Sequence, residues 1–131
     1  MRNIIWFLPL VLLTGCQQPI SKISQPSAHQ QIKQLSALVA GAQYLQKNCQ
    51  RSAVPDEAVL IKTALNLAVS RHWDTGAPAY KLLGEQSQER YQALARENNA
   101  GKSLCTELDL VMVDFVDEAQ RTQKSVSSLN P

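Results

Sequence analysis

The sequence predicts an all-α domain of four helices, and three observations carry that expectation. From His29 onward, apolar residues recur at spacings of three and four, the period of one helix face. No segment shows the strict apolar–polar alternation of a half-buried strand. Pro55, the cluster at 73–76 and the cluster at 98–101 then cut the chain into four stretches of helix length.

The first stretch places Ile32, Leu35, Val39, Ala42, Leu45 and Cys49 on one face and ends near residues 48–52. Pro55-Asp56-Glu57 reads as the start of the second, with a proline and two acids where the helix dipole favours them. That helix runs over about 56–72. Trp73-Asp74-Thr75-Gly76 breaks it, and Asp74 or Thr75 is placed to cap the next helix. The third stretch, 79–98, carries Tyr80, Leu83, Tyr91, Leu94 and Ala95 on a largely solvated helix, with Gly84 as a point where it could split. The fourth, 103–122, carries Leu104, Leu108, Val111, Met112, Phe115, Val116 and Ala119 as a wide apolar stripe. The expected domain is 29–123, followed by a frayed polar tail at 124–131.

Composition narrows the function classes. The chain has 131 residues, 44% of them hydrophobic, and 13 Lys+Arg against 11 Asp+Glu leave a formal charge of +2. That is one domain's worth of chain, and the charge is too small and too scattered for a nucleic-acid footprint.

The N-terminus reads as an address. Arg2 precedes an apolar run from Ile4 to Leu13, and small residues come after it, the layout of a secretory signal peptide. Spanning a bilayer takes about 20 apolar residues, roughly twice this run. Leu13-Thr14-Gly15-Cys16 resembles the lipobox of bacterial lipoproteins. The resemblance implies cleavage after residue 15 and a lipidated Cys16 at the new N-terminus. Gln17 stands next to it where an Asp would resemble an inner-membrane retention signal, so sorting to the outer membrane is implied. Residues 16–28 then form the lipidated Cys and a polar, proline-containing tether, able to extend at most about 40 Å.

With Cys16 lipidated, Cys49 and Cys105 remain, and an oxidising compartment favours a disulfide between them. Two buried thiols, or one reactive thiol with His72 as base, are the alternatives. The bridge would close a loop of 56 residues.

Chemistry finds little material. Gly101-Lys102-Ser103 resembles the end of a phosphate loop, but Arg96 stands where the first glycine belongs. His72-Trp73-Asp74 joins a base to a carboxylate, but adjacent residues share no face of a helix or strand, and two residues apart the pair shares none in a helix, so it would need a turn. The alternative makes Trp73 a core plug and His72 a cation at a helix C-terminus. No metal, cofactor or small-molecule substrate is expected. One surplus stands out: Leu60 and Leu67 on the second helix, and Leu110 and Val113 on the fourth, exceed what one apolar stripe needs. They complete the core or line a groove for an amphipathic helix.

The run Gln34-Leu35-Ser36-Ala37-Leu38-Val39-Ala40-Gly41-Ala42-Gln43-Tyr44-Leu45, leading into Asn48-Cys49, carries a resemblance. Val54-Pro55-Asp56-Glu57, Ala64-Leu65-Asn66-Leu67-Ala68 and His72-Trp73-Asp74 come next in order, and Cys105 and Val113-Asp114-Phe115 fit further on. Together these are similar to the PulS/OutS family of type II secretion pilotins, well over 32–76 and loosely over 104–116. The resemblance implies a helical, disulfide-bridged outer-membrane lipoprotein without catalytic residues. It would bind a C-terminal segment of the secretin as a helix, and the lipoprotein sorting machinery would carry the pair outward. The alternative is a protective or structural lipoprotein, of entry-exclusion or inhibitor type, that binds another envelope protein. A small hydrolase using His72 and Asp74 is the third reading.

Overall fold

A computed structural model describes residues 25–97 and 101–129. The signal peptide, Cys16, Gln17 and most of the tether lie outside the described residues. The order is α1 (Ala28–Asn48), α2 (Glu57–Ser70), a 3-10 helix (Pro78–Leu82), α3 (Leu83–Arg96), α4 (Gly101–Val111) and α5 (Val113–Ser128). Among the described residues there is no strand, as the sequence predicts.

Helix α1 is the axis of the domain. The Ser27 side chain accepts from the Gln30 N–H at 3.2 Å and caps it. The six residues predicted to share a face are all buried. Burial extends further round, to Ser36, Ala40 and Gln43, because α1 is packed by α2, α3, α4 and α5 in turn. Gln31 ties the chain's entry to the 3-10 helix: its amide donates to the Pro26 carbonyl at 2.8 Å and its oxygen accepts from the Tyr80 hydroxyl at 2.6 Å. At the other end, Lys47 lies over the Tyr91 ring, 5.2 Å from its centre, and the Tyr91 hydroxyl donates to Asn48 at 2.8 Å. Helix α3 therefore runs alongside α1 in the same direction.

Three features depart from the expected four helices. The last stretch is two helices, α4 and α5, joined at Met112, whose φ of −101° and ψ of 2° leave the helical region. Helix α4 packs on α1 whereas α5 packs chiefly on α2, and two neighbours on different sides require two axes. Helix α5 also continues to Ser128, past the end expected at 123, with Thr122 buried and Val126 in a crevice shared with Asn66 of α2. Gly84, the expected splitting point, lies inside α3, and the irregularity falls earlier, in the 3-10 helix that Pro78 begins.

Candidate partner-binding groove

The C-terminus of α1 is locked covalently. Cys49 and Cys105 form a disulfide, which settles the pairing against the free-thiol alternatives. Beside it the Arg51 guanidinium grips Asp109 with two hydrogen bonds, 3.0 Å from Nε and 2.7 Å from Nη2, and gives a third to the Cys49 carbonyl at 2.7 Å. The Arg51 hydrogen bonds hold the Asp109 carboxyl below its ordinary range. Helix α4 is thus fastened to α1 at its cysteine and held at its far end by packing.

That packing turns on Gly41. A Cβ built there would stand 3.2 Å from the Met112 sulfur and 3.6 Å from Leu108 Cδ2. The missing side chain lets the α4–α5 elbow seat against α1 with Met112 buried. With Met112 turned inward, its neighbours turn outward: Leu110 is 72%, Val111 71% and Val113 51% exposed. Three large apolar side chains on one elbow form a surface that water does not favour.

From this elbow a groove of about 290 Å³ opens between α2 and α5. Leu38 of α1 lies at its base, with Leu67 and Thr63 on the α2 side and Val111 and Phe115 on the other. The Thr63 hydroxyl donates to the Val59 carbonyl at 2.7 Å, so its proton is used within α2. Charge is confined to the edges, with Arg71 on the α2 side and Asp114 and Glu118 on α5.

The predicted groove residues divide. Leu67 lines the groove, half-buried. Leu110 and Val113 stand exposed on the elbow beside it, outside its lining. Leu60 belongs elsewhere: it is fully buried and part of the core, at the end of α2 that follows Ala53, whose carbonyl accepts from Gln120 of α5 at 3.1 Å. Val111 and Leu38 line the groove although periodicity alone does not assign them to it. The signal for Val111 is the unbroken run Leu110-Val111-Met112-Val113, which no helical period can bury on one side.

A second depression, of about 300 Å³, lies between α3 and α4 over Ala37, Ala40 and Gly41. Its base is made of small side chains, with Leu94 and Leu108 beside them, and it lacks an exposed apolar elbow of the kind that adjoins the first groove. Gln43 and Ser87 are buried without a hydrogen-bond partner, and neither lines the depressions described.

His72 and Asp74 are occupied by the backbone turn. His72 is exposed with φ 63°, the left-handed residue that ends α2. Asp74 accepts the Gly76 N–H at 2.9 Å. Trp73 is the core plug expected of it, with Arg71 stacked on its ring at 5.0 Å. Among the described residues no three His, Cys, Asp or Glu side chains are grouped to hold a metal, and no helix is long and apolar enough to cross a membrane.

Residues 13–117 match the family described as type II secretion system pilotin lipoprotein, PulS_OutS. The pilotin OutS of Dickeya dadantii (strain 3937) is 38% identical over 118 residues, covering 84% of this chain and 86% of that protein. The pullulanase secretion protein PulS of Klebsiella pneumoniae is 33% identical over 121 residues, covering 89% and 95%. A solved pilotin/secretin peptide complex superposes with a TM-score of 0.69 at 39% identity, over 75% of this chain and 99% of that one. The Klebsiella pneumoniae type II secretion outer membrane complex of PulD, PulS and the PulC HR domain gives 0.65 at 26% identity, over 72% and 99%.

Proposed function

We infer the function from one premise: this chain belongs to the PulS/OutS family of type II secretion system pilotin lipoproteins. It is a secretin-binding pilotin of the outer membrane, a binding protein whose task is to hold a segment of the channel subunit and escort it to its site of assembly. The observation that carries the mechanism is the apolar groove between α2 and α5, continuous with the exposed elbow. A secretin C-terminal segment lies there as an amphipathic helix, its stripe covering Leu67, Val111 and Phe115. Leu110 and Val113 extend the contact beyond the groove mouth.

Ordering such a segment costs about 2–5 kcal/mol of the gross interaction, which moderates the affinity for the area covered. The anchor is the lipidated Cys16, with Gln17 permitting outward sorting, and the tether lets the domain reach its partner near the membrane. Several acyl chains, at about 0.8 kcal/mol per buried methylene, make that attachment durable. The protective-lipoprotein alternative is not favoured, since the relatives and solved neighbours are secretion-system proteins.

The test is a titration of the purified lipoprotein, kept in detergent, into a labelled peptide from the C-terminus of the secretin encoded nearest its gene. Saturable binding with a gain of peptide helicity is expected, and Leu67→Asp should abolish it while the protein's own helical signal and thermal midpoint hold. Undiminished binding by Leu67→Asp would move the site elsewhere, the α3–α4 depression first.

A further inference from the structure

The two walls of the α2–α5 groove carry opposite charge, and from this we infer a rule for its occupant. The bound secretin helix carries a Lys or Arg beside its apolar stripe on the flank that faces α5, and no cation on the flank that faces α2. The inference rests on the groove reading above and adds a selection rule to it.

On the α5 wall, Asp114 and Glu118 are four residues apart, so they stand one above the other on a single helix face. Glu118 already accepts from Arg121, at 2.8 Å. Asp114 has no ion pair or hydrogen bond among the described residues, although it edges an apolar groove. On the α2 wall, Arg71 has no carboxylate partner among the described residues. Its guanidinium lies over the buried ring of Trp73, 5.0 Å from the ring centre, which favours that position before any ligand arrives.

Arg71 and Asp114 therefore border one groove and do not pair across it. An incoming helix meets a held cation on one side and an open anion on the other, with apolar contact between. A helix inserted the wrong way round places like charges together. Such edge charges act on selection and encounter more than on total affinity, because water still reaches them.

The experiment is a charge-exchange cycle with the same detergent-held lipoprotein. Wild type, Asp114→Lys and Arg71→Glu are each titrated with the secretin peptide and with a version in which every Lys and Arg is replaced by Gln. Wild type should bind the native peptide about tenfold more tightly than the neutralised one at low salt, with the gap closing at high salt. Asp114→Lys should lose that preference and bind the native and neutralised peptides alike. Arg71→Glu should accept the native peptide at least as well as wild type does.

Comparing two peptides on each variant cancels any effect of the substitution on folding. If Leu67→Asp abolishes binding but Asp114→Lys keeps the full preference for the native peptide, the charge rule fails and the groove stands. If the peptide binds equally well to Leu67→Asp, or does not bind wild type, both fail. A secretin C-terminus with no basic residue flanking its apolar stripe also overturns the rule.

Discussion

The backbone N–H of Trp73 donates to the Ala68 carbonyl at 2.9 Å, and that bond closes the end of α2 around His72. The His72 N–H reaches the Val69 carbonyl at 2.9 Å in the same turn. The pair of bonds is the Schellman arrangement, which requires a left-handed residue between them, and His72 supplies it at φ 63°. Its side chain is exposed and carries a Cβ where a glycine would have none. His72→Gly should therefore stabilise the domain by about 0.5–1 kcal/mol. For a domain of this size the thermal midpoint should rise by about 2–8 °C, read by circular dichroism. Peptide binding should be unchanged, because His72 does not line the groove and glycine keeps the left-handed turn that carries Arg71.

Removing the disulfide should cost far more. The bond between Cys49 and Cys105 spans 56 residues, and closing a loop of that length in the unfolded chain is worth about 4 kcal/mol in the chain-entropy account. The double substitution Cys49→Ser with Cys105→Ser should lower the urea midpoint sharply. Helix α4 should loosen first, because it has fewer neighbours than any other long helix once the bond is gone. Faster amide exchange across 103–111 than across α1 would show that order directly.

Arg51 and Asp109 give the domain an acid-side pH dependence. The Arg51 hydrogen bonds, helped by its charge, depress the folded-state pKa of Asp109 below its ordinary value of 3.8. A depressed carboxylate contributes stability that is present above the ordinary value and is lost as pH falls through the folded-state value beneath it. Asp109→Asn should lower the urea midpoint modestly at pH 7, and the gap to wild type should close as the pH falls to about 2. The pair is exposed, so added salt should shrink the gap at pH 7 as well. A gap that persists in acid would mean that the asparagine disturbs packing rather than charge.

Leu60 and Leu67 show where sequence reasoning reaches and where it stops. They lie seven residues apart on α2, so periodicity places them on the same face, and both carry the same side chain. The structure buries one fully and leaves the other in a groove wall. The period of a pattern identifies a face, but it says nothing about which part of that face another helix covers. Coverage depends on where α5 crosses, and that is set by the elbow at Met112. The elbow itself is faintly legible in the run Leu110-Val111-Met112-Val113, four apolar residues that no straight helix could bury together. Helix α1 and the bridge between Cys49 and Cys105 are fully legible. A long face of threes and fours, and an even pair of cysteines, depend on no such crossing.

The elbow's dependence on Gly41 gives a test that separates groove shape from groove chemistry. Alanine there gains about 1 kcal/mol of helix propensity, and its methyl meets the Met112 thioether at about 3.2 Å. The thioether is the flexible end of its side chain and can shift by a few tenths of an ångström, so Gly41→Ala should be near neutral in both stability and peptide binding. Leucine has no such escape, because its branches would enter the space that Met112 and Leu108 fill. Gly41→Leu should cost about 1–3 kcal/mol of stability. It should also push Met112 outward, displacing Val111 and Phe115 from the groove wall with no groove side chain changed. Peptide affinity should fall more than tenfold while the disulfide still forms. Retained affinity in a destabilised Gly41→Leu protein would show that the peptide does not depend on the elbow, and would move the binding surface away from α5.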